Sequence, residues 1–375
     1  MTERIIRLLA RHLSGYEVRT VERLGEGQDN AAYEVNGELV IRQSKIDDWA
    51  PHSGSAPQGG SSASGDLAAR DDLAARDDAA PYGDSAPSGD RDLQDDSARP
   101  SEADLRGAPA LHRDSALRGE AALRGEAALR GEAALRGEAV RREAALLAVV
   151  SELSPLPVPV PIFVDEEAGV IAYRKLPGRP LNLHPVKEPT RLAAPLGDFL
   201  SRVHAAPVER MEAFVPRDTF PLSELLEEAE GHYRDIVAQV PPAARRQVED
   251  FLGAAVPAEP GLLLFCHNDL GSEHLLVDVE ASALTGVIDW TDAAIADPAY
   301  DLALVYRDLG PEVYERTLTY YEGRHDDAEH ERVVFYARCA LLEDIAYGLC
   351  SGVRAGSGAR SYADAGLAHL GRTFA

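Results

Sequence analysis

The chemistry most legible in this chain lies in two carboxylates, Asp269 and Asp289, set twenty residues apart. Asp269 closes the tripeptide His267-Asn268-Asp269, and His274 follows five residues later. Between the acids the chain reads HLLVDVEASALTGVID: an apolar run from Leu275 to Val277, a polar turn around Glu280 to Ser282, and a second run at Val287 and Ile288. Folded as a β-hairpin, this stretch brings Asp289 back to the mouth where Asp269 stands. An acid just before the first strand can meet a substrate hydroxyl, and an acid just after the return strand can hold a divalent metal on nucleotide phosphates. That spacing suits phosphoryl transfer. Taken singly these residues say less, since an H-x-D arises often by chance, His267 alone reads as a core histidine and Asp289 alone as a turn or cap. The joint spacing carries the reading, together with the continuation DAAIADPAYDLALVY, in which Asp297 is placed as a helix N-cap and Pro298 at the first helical position. Asp297 and Asp301 are read as structural.

The elements that must position these acids are patterned along the rest of the chain. MTERIIRLLARHL sets Ile5, Leu9 and Leu13 at helical spacing, and Tyr16 and Val18 then alternate as in a strand. Gly25-Glu26-Gly27 follows, then AAYEV, Asn36-Gly37 and ELVIR. Asn-Gly between alternating apolar runs marks a hairpin, because both turn positions need positive φ. From Ile46 to Val140 the chain is rich in Ala, Asp, Arg, Gly, Ser and Pro, with two copies of DLAARD from Asp66 and four of ALRGEA from Ala116. A six-residue step turns a helix by roughly 600°, so the repeated leucines share no face. Each ALRGEA copy also carries a glycine, at about 1 kcal/mol against alanine in a helix, so frayed helix at best is expected there, with disorder before it. Without roughly 95 residues of insert, about 280 remain, enough for a two-lobed protein with real cores. LPVPVPIFVDEEAGVIAYRKLPGRPL reads as an edge segment, an acidic turn and an apolar strand ending in a break at Pro177-Gly178. Beyond it, Leu192, Leu196, Phe199, Leu200 and Val203 share one helical face, which makes His204 a packed structural histidine.

These motifs resemble the protein kinase-like antibiotic kinases, the aminoglycoside and macrolide phosphotransferases. HNDLGSEH is similar to that family's H-x-D-x-x-x-x-N loop, and Ile288-Asp289-Trp290 to its I-D-[FW] metal motif. His274 departs from the usual Asn, as it does in the 2''-aminoglycoside and macrolide branches. The resemblance implies a bilobal α+β protein kinase-like fold: a small lobe with an antiparallel sheet, a mostly helical large lobe, and the low-complexity insert in the small lobe. It implies a nucleotide-binding lobe from 1–45 and 137–175, an insert at 46–136, and a catalytic and acceptor-binding lobe at 176–375. The function implied is ATP- or GTP-dependent, Mg2+-dependent O-phosphorylation of a small molecule, foremost an aminoglycoside-type antibiotic. The alternatives are a macrolide or small hydroxylated metabolite as acceptor, and more distantly a non-catalytic binding protein. Asp269 would orient the acceptor hydroxyl and accept its proton; Asp289 would bind metal, with His274 a second metal-side ligand or a hydrogen-bonding support. Gly25 and Gly27 would let backbone approach phosphate, and Arg42, or else Lys45, would hold it, oriented by Glu143. Arg in place of the family's frequent Lys is not a neutral exchange, being a planar fork instead of a point charge. Backbone near Arg174 and Lys175 would address the purine, with Tyr173 at the back of that pocket.

The chain carries a formal charge of −25. The segment 46–140 holds 19 acidic and 10 basic residues, so −16 stays with the rest. Such a surface repels nucleic acid and would concentrate a cationic small molecule. Glu343, Asp344 and the acids of PLSELLEEAEGHY are the local candidates for an amine-binding wall. Cys266, Cys339 and Cys350 lack metal-like clustering and are expected as reduced thiols in a cytoplasmic enzyme. No signal peptide, membrane span or obligate protein partner is expected.

Overall fold

The computed structural model describes residues 1–26, 30–44, 121–350 and 357–374. Residues up to 44 and from 131 onward belong to one compact unit; of a second unit, 69–130, the helical residues 121–130 are described. The expected insert residues 46–120 lie outside the described residues, as do Gly27 and Lys45.

The small lobe opens with α1 (Thr2–His12), whose Ile5, Leu8 and Leu9 are buried against Val35, Leu39 and Ile41. Strands β1 (Val21–Glu26), β2 (Asn30–Val35) and β3 (Leu39–Ser44) precede helix α2 (Ala121–Leu153), and β4 (Pro161–Asp165) and β5 (Val170–Arg174) follow it. The five strands form one antiparallel sheet in the order β1-β2-β3-β5-β4. Asn36 and Gly37 close the β2–β3 hairpin at φ 55° and 72°, and the Glu38 N–H donates to the Val35 carbonyl at 3.0 Å. This is the primed turn whose twist matches the strands it joins. The Asn36 side chain also accepts from the Arg19 and Thr20 amides at 2.7 and 3.0 Å, fixing the chain as it enters β1.

Helix α2 begins at Ala121, earlier than the boundary expected near residue 136. The fourth ALRGEA copy is integrated into the fold at Gly137. A Cβ there would lie 2.7 Å from the Glu166 carbonyl oxygen, so the glycine lets the helix close on the β4–β5 turn. Arg141 then clasps the Glu166 carboxylate at 2.9 and 3.0 Å, and Val140, Leu146, Leu147 and Val150 are buried. A residue unfavourable to an isolated helix is here required by packing.

The large lobe starts at β6 (Arg179–Pro180). A 3-10 turn, Pro189–Leu192, leads into α3 (Ala193–His204), then α4 (Val208–Met211), α5 (Leu222–Ile236), α6 (Pro242–Leu252) and β7 (Leu264–Cys266). The hairpin β8 (Leu275–Asp278) and β9 (Ala283–Val287) is followed by β10 (Ala294–Ala296), α7 (Pro298–Leu309), α8 (Pro311–Leu318), α9 (Asp327–Cys350) and α10 (Ser357–Thr373). Helix α9 packs against α5, α7 and α10, and one core runs from Leu147 and Val150 through Phe199, Phe265 and Trp290 to Leu342. The interlobe break is seated by shape: Gly178, at φ 106°, has no room for a Cβ beside Thr285 Oγ1, and the Thr285 hydroxyl donates to the Pro177 carbonyl at 2.7 Å. The architecture is the α+β kinase-like one, with a small-lobe antiparallel sheet and a mostly helical large lobe. No helix among the described residues is long and apolar enough to cross a membrane.

Packing at Gly137 moves the start of the indispensable chain back into the repeats. Replacing 69–130 by a Gly/Ser linker should change unfolding free energy by about 1 kcal/mol or less. Gly137→Leu should cost about 1–3 kcal/mol through overpacking. Urea melts of both variants check this, and a Gly137→Leu melt superimposable on the parent's would remove the contact from the account.

Candidate active site

Strand β7 ends at Cys266 and hands the chain to the His267-Asn268-Asp269 loop. The loop is held by Asp301 on α7, a fully buried carboxylate. It accepts the His267 and Asn268 amides at 2.9 and 2.8 Å and His204 Nε2 at 3.1 Å. Burial alone would raise the Asp301 acid; the His204 bond and charge outweigh it, and the pKa is lowered. Asn268 sits at φ 61°, an uncommon conformation outside glycine, and its two neighbours in sequence are thereby aimed apart. His267 faces inward, where burial drops its pKa to about 4, so the neutral ring donates Nε2–H to the Ile288 carbonyl at 3.0 Å. Asp297 caps α7 by accepting the Ala299 amide at 3.1 Å, with Pro298 next in line.

The β8–β9 pairing sets Leu275 opposite Val287, so the residues just outside it, His274 and Ile288, are adjacent and the two acids share one mouth. The Ile288 amide donates to the His274 carbonyl at 3.0 Å. Asp289, like Asn268, has φ 61°. His274 is buried, its Nδ1–H donating to the Asp269 carbonyl at 2.7 Å while lying 3.3 Å from the Asp269 carboxylate. Its Nε2 stands 3.9 Å from Asp289 Oδ2. Burial would lower the His274 pKa, but Asp269, then Glu273 and Asp289, raise it to about 9. Burial pushes the Asp269 acid up to about 7, with His274 opposing and Glu273 and Asp289 adding. Asp289 shows the opposite outcome: burial is overcome by Arg42 and His274, and its acid is strongly lowered.

The small lobe reaches this mouth through Arg42. One guanidinium nitrogen donates to Glu143 at 2.6 Å; the other donates to Asp289 Oδ1 at 2.9 Å and to the Thr291 hydroxyl. Thr291 in turn donates to the same Asp289 oxygen at 2.7 Å. Asp289 Oδ1 is therefore fully engaged, and Oδ2 is the oxygen left facing His274 and the mouth. Tyr173, on β5, has its hydroxyl acidity pushed up by burial while lying in the field of Arg42, Glu143 and Asp289.

Of the other expected residues, Gly25 lies in β1 opposite Ala32, just after a break in register at Arg23. Arg174 ends β5 opposite Leu39. The Lys175 amide donates to the Glu38 carbonyl at 2.8 Å and its ammonium pairs with Glu34, so its N–H is already committed to the sheet. Asp344 also differs from its expected part in an amine-binding wall: it is buried and paired with Arg307 at 2.9 Å. Thr291, Asp292 and Glu273 join the site without having been singled out from the sequence. Asp292 is raised well above the usual carboxylate range by burial, then by Asp269 and Asp289. Only the proximity of Thr291 and Asp292 to Asp289, and of Glu273 to His274, was available as a signal.

The site and the two-lobed architecture together define a kinase-like phosphotransferase class. Residues 20–333 match the phosphotransferase enzyme family, and the chain belongs to that family. It is similar to viomycin phosphotransferase of Streptomyces vinaceus, 30% identical over 175 residues, covering 45% of this chain and 60% of that protein. It is also similar to aminoglycoside 3'-phosphotransferase of Streptomyces ribosidificus, 37% identical over 82 residues, covering 20% of this chain and 30% of that one. The chain thus spans less than two thirds of the length of these curated relatives. Among solved structures it resembles the GDP complex of wild-type aminoglycoside 2'-phosphotransferase-IIIa, with a TM-score of 0.57 at 18% identity over 99% of this chain and 98% of that one. The macrolide 2'-phosphotransferase MphH of Brachybacterium faecium follows with a TM-score of 0.50 at 19% identity, over 98% and 97% of the two chains. At such identities these structures establish the fold.

The raised His274 pKa gives a stability signature. A group whose folded value lies above its unfolded one stabilises fully below the unfolded value, here near 6.5, and loses that contribution as pH rises through about 9. Between those values the parent should lose on the order of 2 kcal/mol more than His274→Gln. Denaturant melts across this range test it, and parallel curves would show that His274 carries no such cation.

Proposed function

We propose that this protein is a nucleotide-dependent O-phosphotransferase acting on a hydroxyl of a small molecule, foremost an aminoglycoside-type antibiotic. The observation that carries the reading is the arrangement of Asp269 and Asp289 at one mouth, spanned from the small lobe by Arg42. Asp269 accepts the hydrogen bond of the acceptor hydroxyl and takes its proton late in a loose transition state, where strong basicity is not needed. Its carboxylate is kept close to His274, whose positive charge favours the ionised form.

The donor set suits magnesium through oxygen. Asp289 Oδ2 is free of the Arg42 and Thr291 bonds that hold Oδ1, and one carboxylate oxygen with phosphate oxygens and water is the usual magnesium environment. Magnesium, when bound, would neutralise charge building on the transferring phosphoryl group. His274, whose Nδ1–H donates to the Asp269 carbonyl, is the hydrogen-bonding support between Asp269 and Asp289, or with its Nε2, 3.9 Å from Asp289 Oδ2, a second metal-side ligand. Arg42, held by Glu143, faces the phosphates of an ATP- or GTP-type donor, with Gly25 in the covering strand and Tyr173, Arg174 and Lys175 along the purine side. The nucleotide-bound relatives of like fold support the donor class. A macrolide or small-metabolite acceptor is the second reading, favoured by the pairing of Asp344 with Arg307, which removes one acid from the amine-binding wall.

A nucleotide-consumption screen against aminoglycosides, macrolides and amino alcohols, with ATP and GTP in parallel, tests the function directly. Asp269→Asn should reduce turnover at least about 100-fold while leaving magnesium-nucleotide affinity in calorimetry nearly unchanged. Asp289→Ala should instead abolish the magnesium dependence of nucleotide binding. Near-parental turnover in Asp269→Asn sinks the assignment of that residue. For a polycationic acceptor the Michaelis constant should rise steeply with salt, since exposed charges are screened over about 8 Å at physiological ionic strength. A constant indifferent to salt moves macrolides and metabolites ahead.

A further inference from the structure

The loop 267–274, which carries Asp269 and His274, is gripped at both ends by a single helix. Asp301 holds its beginning through the His267 and Asn268 amides, at 2.9 and 2.8 Å. Asp308 holds its far part, where Oδ2 accepts the Ser272 amide at 2.7 Å. The two carboxylates stand seven residues apart on α7. That is close to two helical turns, which sets them on one face and about 10 Å apart along the axis. A helix of fixed pitch thus serves as the spacer for the loop lying across it.

Ser272 is where the second grip reaches the site. It lies in the turn closed by the His274 amide donating to the Gly271 carbonyl at 3.0 Å, and its own carbonyl accepts the Asn182 amide at 3.2 Å. That turn delivers His274, whose Nδ1–H donates to the Asp269 carbonyl at 2.7 Å. A rotation at Ser272 would carry the imidazole with it, and a bond to an ionised carboxylate is about twice as strong as a neutral one in resisting this. Asp308 is itself immobilised. Arg307 donates to its Oδ1 at 2.7 Å and its Oδ2 at 3.1 Å, and also reaches Asp344 of α9 at 2.9 Å. Arg372 of α10 donates to the Arg307 carbonyl at 2.9 Å and to the Asp308 carbonyl, at the end of α7 where helix carbonyls run out of partners. Burial would raise the Asp308 acid, but Arg307 and then the Ser272 amide outweigh it, and its pKa is lowered.

We propose that Asp308 is a positioning residue for phosphoryl transfer: by holding the Ser272 amide it sets the turn that keeps His274 against Asp269. The proposal rests on the phosphotransferase reading above, and Asp308 acts in it through Ser272, not on the reacting atoms. Asp308 also lines a cavity of about 280 Å3 beside the loop. The two roles separate kinetically. A residue that bound the acceptor directly would act on KM, whereas one that aligns the reacting groups acts on kcat.

The test joins steady-state kinetics to amide hydrogen exchange on the full chain, with magnesium-ATP and magnesium-GTP as donors and kanamycin, erythromycin and ethanolamine as acceptors. Asp308→Ala should lower kcat about 30-fold while KM and magnesium-nucleotide affinity stay within about twofold of the parent. The Ser272 and His274 amides should exchange about tenfold or more faster, and the His267 and Asn268 amides, held by Asp301, should keep the parent's rates. Asp308→Asn keeps an acceptor of the same shape without the charge, and should bring kcat back to within about fivefold of the parent. Urea melts establish that each variant is folded, and Asp308→Asn carries the same comparison at smaller amplitude where Asp308→Ala does not fold. A raised KM at unchanged kcat, parental exchange at Ser272, or faster exchange spread evenly over the large lobe overturns the proposal. A parent that transfers no phosphoryl group, yet whose Asp308→Ala variant frees the Ser272 and His274 amides alone, upholds Asp308 as the anchor of the loop and instead defeats the phosphotransferase reading.

Discussion

The interaction on which the site depends is the set of bonds converging on Asp301. A fully buried carboxylate must be satisfied, and here the acceptors are used by two successive backbone amides of the His267-Asn268-Asp269 loop and one imidazole. The consequence is mechanical. Asn268 is held in the left-handed region at a cost on the order of 1 kcal/mol, and such a conformation persists only where its surroundings over-determine it. The two amide bonds do so, and Asp269 is turned out toward the mouth while His267 is turned in. Because His204 comes from α3 and Asp301 from α7, the direction of Asp269 is fixed by two helices of the large-lobe core. His204 is itself fixed on its other side by the Tyr321 hydroxyl at 2.8 Å.

From the opposite side Arg42 imposes a second constraint. A guanidinium offers separate nitrogens in one plane, so it joins Glu143 and Asp289 without making either share a donor. A single ammonium would have to divide one centre among the same partners. The planar fork thus couples three pieces distant in sequence, strand β3, helix α2 and the turn after β9, into a single bonded group. Thr291 completes it by holding the same Asp289 oxygen that Arg42 holds, which leaves Oδ2 as the oxygen facing His274. Asp289, at φ 61°, repeats the strategy of Asn268: a strained backbone residue is placed where side-chain bonds from another element outweigh the strain.

Local pattern made much of this legible. The Asn36-Gly37 turn, the helical face around Phe199 and the Asp297-Pro298 helix start are short-range features, and each lies where residue type and spacing place it. The fold class followed from the motif pair around Asp269 and Asp289. Long-range partners were not legible, because nothing local announces them. Residue type and spacing mark Asp301 as structural, but its grip on the His267 and Asn268 amides is visible only once α7 is seen to run beneath β7. Charge alone puts Asp344 on an amine-binding wall, whereas Arg307, from a different helix, pairs with it. Helix propensity alone counts Gly137 against the helix that contains it, and only the tertiary arrangement shows Glu166 pressing on that position.

The same distinction governs the protein's charge. A formal −25 invites the idea of an electrostatic funnel, but surface charge acts over distances that salt shortens to about 8 Å. Inside the site the effective dielectric is lower and individual pairs decide the outcome. There most acids are already spoken for: Asp289 by Arg42, Asp308 and Asp344 by Arg307, Asp301 by His204 and two amides. Net charge therefore describes the surface, whereas the state of each acid in the site is set by the partner that the packing of α3, α7 and α9 brings to it.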